Sequence, residues 1–247
     1  MFPDELLYTL RVANHITVLT GAGISSESGI PTFREAQTGL WAQYEPTELA
    51  TPEAFQRNPK LVWDWYAWRR ELVAKANPNP GHFALAEMEK RVPSFALITQ
   101  NVDSLHQRAG NATVIELHGN LARVKCAREG RLIETWPTTG ETPPRCPHCG
   151  AFLRPDVVWF NETLPINALQ LAYEKTGEAE VFFSIGTSAV VQPAASLPVA
   201  ALRNGAIVIE INPAPTPLSG QMTFVLEGKS GDILPALVKA VWGSSGL

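Results

Sequence analysis

Six short runs of consecutive apolar residues punctuate the chain: "ITVLT" (16–20), "FALIT" (95–99), "VIEL" (114–117), "VFFSI" (181–185), "AIVIEI" (206–211) and "TFVL" (223–226). Short runs rich in Val, Ile and Phe, apolar at both alternating positions, predict strands covered on both faces, as in a parallel sheet. Between them, helix-like stretches occupy 4–13, 61–76, 82–91, 165–175, 193–203 and 232–242. The last is expected to start with Asp232 as its N-cap and Pro235 in its first turn. Strand and helix in alternation predict an α/β fold. Two stretches break the alternation. Residues 35–91 carry the aromatic helix "LVWDWYAWRREL", and residues 122–156 carry all three cysteines. Both read as insertions that together form a smaller lobe.

The polar residues cluster where the apolar runs stop. Gly21-Ala22-Gly23 follows the first strand, Gln100-Asn101-Val102-Asp103 the second, and His118-Gly119 the third. Gly186-Thr187-Ser188, Asn212-Pro213-Ala214 and Gly228-Lys229-Ser230 follow the other three. Open parallel sheets bind ligands outside the carboxyl ends of their strands, so six such ends favour a nucleotide-sized site. A strand, a Gly-rich turn and a helix start can cradle a phosphate on backbone N–H groups. Gly21 and Gly23 match the first two glycines of the dinucleotide fingerprint, but Ser26 stands at the third. No ribose-binding acid follows on schedule, which argues against an ordinary NAD dehydrogenase.

Composition narrows the partners. The 247 residues are 45% hydrophobic, enough for one α/β domain with a second lobe. A net charge of −4 gives no reason to expect nucleic acid or an acidic membrane. No apolar run approaches the ~20 residues of a membrane span. The start, "MFPDELLYTL", has no basic segment and does not read as a signal peptide. Three cysteines within 24 positions make a disulfide framework improbable, and a cytoplasmic location is expected.

Together "GAGIS", "GIPTFR", "TQNVD", "LHGN", "VVWFNE", "GTS" and "EINP" occur in the order found in the sirtuins, and the chain resembles that family over nearly its whole length. The resemblance implies NAD-dependent protein-lysine deacylation. It implies a Rossmann-like large domain (1–34, 92–121 and 157–247) and a small domain of a helical and a zinc-ribbon-like module (35–91 and 122–156). NAD is consumed in the cleft: the acyl oxygen of a modified lysine attacks the nicotinamide ribose, nicotinamide leaves, and the acyl group ends on ADP-ribose. The expected partners are acyl-lysine proteins, with the chain a monomer or weak oligomer.

By the same resemblance His118 is the general base, whose ordinary pKa suits neutral pH. Asn101 and Asp103 orient the nicotinamide ribose, and Asp103 also suits a helix cap. Gln100 and Val102 flank them. Phe33 and Arg34 belong to a loop that closes over NAD and excludes water. Gly21, Ala22, Gly23, Ser25, Gly186, Thr187, Ser188, Asn212, Pro213, Ala214 and Ser230 are expected around the pyrophosphate and adenosine. Val158, Phe160, Asn161 and Glu162 are expected to receive the peptide by strand addition. Asn161 stands where the family usually has Gly.

Tyr66 and Arg69 lie three apart on the aromatic helix and resemble the Tyr-x-x-Arg pair of the succinyl- and malonyl-removing branch. An Arg fork with a Tyr hydroxyl suits a carboxylate. The metal site departs from the family. Cys146-x-x-Cys149 is intact, whereas Cys126 is followed by Glu129 where the second CxxC would close. One structural zinc on Cys126, Cys146 and Cys149 is a candidate, with Glu129, His148 or water as fourth ligand; a ribbon without metal is the alternative. A mono-ADP-ribosyltransferase and a non-catalytic NAD or acyl-lysine binding module remain as rival functions.

Overall fold

The computed structural model describes residues 2–31, 44–137 and 140–243. Its strands are β1 (His15–Thr20), β2 (Ser94–Thr99), β3 (Val114–Glu116), β4 (Gly119–Cys126), β5 (Leu132–Ile133), β6 (Leu153–Val157), β7 (Val181–Ile185), β8 (Ile207–Asn212) and β9 (Phe224–Glu227). The helices are α1 (Asp4–Val12), α2 (Ala22–Ser26), α3 (Pro46–Leu49), α4 (Pro52–Arg57), α5 (Pro59–Lys75), α6 (Pro80–Arg91), α7 (Leu105–Ala109), α8 (Ile166–Glu178), α9 (Leu197–Arg203) and α10 (Ser230–Trp242). The six apolar runs are β1, β2, β3, β7, β8 and β9. They form one sheet in the order β3-β2-β1-β7-β8-β9, parallel throughout.

Successive side chains of a strand point to opposite faces, and here both faces are covered. Val18, Leu97, Phe183 and Ile209 pack with Leu6 and Leu10 of α1, Leu85 and Met88 of α6, and Leu234 and Leu237 of α10. Their neighbours Leu19, Ile98, Phe182 and Val208 pack on the other face with Ala172 of α8 and Leu197 and Ala201 of α9. This is a Rossmann-like, doubly wound sheet. The chain runs outward from β1 through β2 to β3, then crosses back to β7 on the other side. The order therefore reverses between β1 and β7, and a crevice opens at their carboxyl ends.

Two details differ from the sequence pattern. The segment 80–91, expected in the inserted lobe, is α6, and it packs on the parallel sheet: Ala84, Leu85 and Met88 join the core with α1 and α10. A helical stripe states that one face is buried, not which sheet buries it. The last helix starts at Ser230, not after Asp232. Glu27 accepts the Ser230 hydroxyl (2.6 Å) and the Gly231 N–H (3.2 Å), which satisfies an earlier start. Asp232 then lies in the first turn and Pro235 inside the helix.

The second sheet is antiparallel, in the order β5-β4-β6, with α3, α4 and α5 beside it. Along α5, Trp65 and Tyr66 enter a core with Phe55, Leu121, Val157 and Trp159. Trp63 points instead into the cluster that holds Cys126 and Cys146. The aromatic helix thus ties the cysteine ribbon to the rest of the molecule. Among the described residues, no helix is long and apolar enough to cross a membrane.

Candidate active site

The crevice is lined by the turns that leave β1, β2, β7 and β8. Gly21 N–H donates to Ile185 O (3.0 Å) and Gly23 N–H to Gly186 O (2.8 Å). A Cβ at Gly23 would stand 2.7 Å from Gly186 Cα, and one at Gly21 2.7 Å from Gly186 O. Gly186 itself has φ +60°, and its own Cβ would meet Ile24 N at 2.5 Å. These glycines let two turns of the protein touch each other, and the N–H groups of Gly21 and Gly23 are already engaged. They differ in this from the sequence expectation of free donors for phosphate. Gly23→Ala is expected to cost about 1–3 kcal/mol by overpacking, a Tm drop of roughly 2–10 °C. Thermal denaturation checks it: an unchanged Tm with lost NAD affinity would restore the ligand-approach reading.

Asn101 is buried, and its Nδ2 donates to both Gly21 O and Ser25 Oγ at 3.0 Å. Asp103 accepts Leu105 N–H at 2.9 Å, capping α7 from two residues upstream, because Ser104 takes φ +61° between them. Burial pushes the Asp103 carboxyl above its ordinary range; Leu105 N–H, the Ser25 hydroxyl and the charges of Arg69 and Arg108 pull it back. Gln100 Nε2 donates to Thr187 Oγ1 (3.2 Å), and Asn212 Nδ2 to Thr187 O (3.0 Å), so both side chains tie strand ends together. Thr187 is buried, while Ser188, Pro213 and Ala214 are exposed at the crevice mouth. The Ser230 hydroxyl is committed to Glu27. Phe33 and Arg34 lie outside the described residues.

His118 is held by its own ring. Nδ1 is 2.9 Å from Gln100 O, and a carbonyl only accepts, so Nδ1 carries the proton. Nε2 is left with its lone pair. Burial lowers the His118 pKa below 6.5, opposed by that hydrogen bond, so the ring is neutral at pH 7. Its carbonyl accepts Val158 N–H (2.9 Å), which fastens the segment after β6 beside it.

That segment is shaped by a residue the sequence reading missed. Arg154, buried in β6, gives a bidentate pair to Glu162 (2.6 and 2.8 Å) and lies 3.3 Å from the Trp159 ring centroid. Glu162 also accepts Trp159 N–H (2.8 Å). Glu162, expected at the peptide, therefore spends its carboxylate inside its own turn. Asn161 has φ +68°, the left-handed region its neighbours in type avoid. Phe160 is half exposed, and its N–H donates to Ala50 O (3.0 Å).

Tyr66 is 1% exposed, packed 4.6 Å from Trp65 and 6.3 Å from Trp159 between ring centroids. Burial pushes its pKa up to about 12, against the pull of Arg69. It is a neutral hydroxyl at any working pH. Arg69 is half-buried over the Trp65 ring (5.1 Å) and within electrostatic reach of Tyr66 and Asp103.

The three thiols converge: Cys126, Cys146 and Cys149 Sγ lie within 4.8 Å of one another. Two backbone turns that repeat each other hold them. Cys126 N–H donates to Arg131 O (2.8 Å) and Gly130 N–H to Cys126 O (2.9 Å); Cys146 N–H donates to Ala151 O (2.7 Å) and Gly150 N–H to Cys146 O (2.9 Å). Gly130 and Gly150 share left-handed φ values of +68° and +71°. Glu129 thus occupies the backbone place of Cys149. Its N–H donates to Cys126 Sγ (3.4 Å), but its carboxylate faces Arg131 at 3.8 Å and is not within the thiol group. The sequence candidate for fourth ligand is placed by its backbone only.

Comparison with known proteins agrees with this geometry. The Sir2 family model matches residues 21–193. An NAD-dependent protein deacylase of Aquifex aeolicus is 60% identical over 207 residues, 83% of this chain and 86% of that protein. A crystal structure of a Sir2 homologue in complex with NAD superposes with a TM-score of 0.91 at 48% identity, covering 98% of this chain and 94% of the other. A Sir2 protein bound to an acetylated peptide gives 0.88 at 31% identity, covering 99% and 100%. The chain belongs to the Sir2 family.

Proposed function

We propose that this protein is an NAD-dependent protein-lysine deacylase that transfers the acyl group of a modified lysine to ADP-ribose, releasing nicotinamide and free lysine. The observation that carries the reading is the state of His118: a neutral imidazole with its Nε2 lone pair available, at the strand ends that also hold Asn101 and Asp103. A base in that state can take the proton of a ribose hydroxyl, which becomes the nucleophile toward the acyl carbon. Asn101 and Asp103 act as the pair that orients the nicotinamide ribose. The crevice at the β1–β7 reversal receives the dinucleotide. The segment after β6 offers its backbone to the peptide. The test is a panel of acyl-lysine peptides with NAD, read by mass spectrometry. O-acyl-ADP-ribose with free lysine is expected; ADP-ribose attached to protein would point to a transferase instead.

We further propose that succinyl and malonyl groups are preferred over acetyl, with Tyr66 and Arg69 receiving the distal carboxylate. A neutral Tyr hydroxyl and an Arg on the same helix face support it.

The donor set suits zinc. Three thiols on two matching turns are what a soft, tetrahedral site asks of a protein. Cys126, Cys146 and Cys149 would hold the ion, which supplies a cross-link for the ribbon and takes no part in the chemistry. Purified protein is expected to carry about one zinc per chain by elemental analysis. Glu129→Cys is expected to slow metal loss to a chelator, because it restores the missing thiolate at the matching backbone place. Protein free of metal, with a Tm indifferent to chelator, would reject the site.

A further inference from the structure

Two histidines that the chemistry above does not use lie together beneath the crevice. His82 of α6 and His106 of α7 are 0% and 1% exposed, with ring centroids 4.8 Å apart. Each ring is committed at one nitrogen. Asn79 N–H donates to His82 Nδ1 (3.3 Å), so His82 carries its proton on Nε2. His106 Nε2 lies 2.9 Å from Thr20 Oγ1, and Thr20 Oγ1 donates in turn to Thr99 Oγ1 (2.9 Å). With its own proton spent on Thr99, Thr20 accepts, and His106 also carries its proton on Nε2. The nitrogens left over are His82 Nε2, a donor, and His106 Nδ1, an acceptor. Both are buried and have no partner among the described residues. They complement each other, and a small ring rotation or one bridging water joins them.

Each end of this chain grips the same turn. Asn79 Nδ2 donates to Ile24 O (2.7 Å) and Ser28 Oγ (3.0 Å). Thr99 Oγ1 accepts Asn101 N–H (3.0 Å), and Asn101 Nδ2 holds Gly21 O and Ser25 Oγ. The segment from Gly21 to Ser28 is therefore seized at four points by two asparagines, which are themselves connected through the core by His82, His106, Thr20 and Thr99. The geometry points to His82 and His106 as positioning residues: they close a one-directional hydrogen-bonded clamp that fixes the turn after β1 for NAD. The inference rests on the proposed NAD site. Burial keeps both rings uncharged, with His82 lowered to about 4 and His106 well below 6.5 by burial and by its neighbour His82. A charged ring would offer two donors and break the one-way order.

The full-length protein tests this in two ways. Side-chain 15N spectra are expected to show both rings neutral and protonated on Nε2 at pH 7; a charged ring, or a proton on Nδ1 of either, overturns the clamp. Thr20→Val exchanges a hydroxyl for a methyl of the same shape. It is expected to raise KM for NAD about 5- to 15-fold, the worth of one buried hydrogen bond, with kcat and the peptide KM nearly unchanged. His106→Leu should do the same, and His106→Gln, whose amide can still donate to Thr20, should recover most of the loss. If His106→Leu does not fold, Thr20→Val alone decides. Asn101→Ala separates the two readings. A raised NAD KM there, beside unchanged values in Thr20→Val and His106→Leu, rejects the clamp. An unchanged value in Asn101→Ala, with the rings protonated as assigned, rejects the NAD site instead.

Discussion

His118→Ala is expected to lower kcat/KM for deacylation by about 10²- to 10⁴-fold, the usual worth of a positioned general base, while NAD still binds. The size follows from one nitrogen. Nδ1 is tied to Gln100 O, so the ring cannot turn without giving up a hydrogen bond, and Nε2 is aimed by default. Burial favours the uncharged ring and so keeps the base form available below pH 6.5. The sign fixes the pH profile of the unmodified enzyme: activity requires neutral imidazole, so its acid limb should fall below pH 6.5. Because the base acts on a ribose hydroxyl after nicotinamide departs, exchange of labelled nicotinamide into NAD should survive in His118→Ala far better than product formation. Near-normal turnover in the purified variant would remove His118 from the mechanism. Equal collapse of exchange and turnover would place its work at the first step.

What the sequence made legible depends on how local the physical cause was. The six parallel strands announce themselves because burial on both faces writes an unbroken apolar run, and Val18 and Leu19 show why: one faces α1 and α10, the next faces α9. β4 and β6 leave no such mark. Their sequences, "GNLARVKC" and "LRPDV", mix charges and a proline, and what holds them is non-local. Arg123 bridges Glu116 (2.7 Å) and Asp156 (2.9 Å), and Arg154 holds Glu162. The strand-end residues were visible as chemistry, but their partners were not. Nothing in "GAG" says that the closest approach at Gly23 is to Gly186 rather than to a ligand. Nor does a lone His in "PGHFAL" or "SLHQRA" reveal that α6 and α7 set two imidazoles side by side. For Glu129 the spacing was correct and the side chain was not, since a knuckle turn is a backbone property.

Arg69→Met is expected to cut desuccinylation about 10- to 150-fold in kcat/KM while deacetylation changes little, reversing the acyl preference. One lost charge-assisted contact of about 1.5–3 kcal/mol accounts for that range. Methionine keeps the stem's packing over Trp65 and removes only the fork, so the variant should fold. Acetyl-lysine has no distal carboxylate and loses nothing directly. Arg69 also works on Asp103, and this gives the substitution a second signature. The Asp103 carboxyl is raised by burial and held down in part by the charge of Arg69. Without that charge its pKa rises further, and the protonated fraction grows as pH falls. If the ionised carboxylate is the form that orients the ribose, the acid limb of residual deacetylation in Arg69→Met should move to higher pH than in the unmodified enzyme. Tyr66→Phe should cost less than Arg69→Met, because a neutral hydroxyl forfeits a single uncharged donor. Matched succinyl and acetyl peptides turned over with equal efficiency by the unmodified enzyme would sink the carboxylate reading and leave Arg69 as the counter-charge that keeps Asp103 ionised.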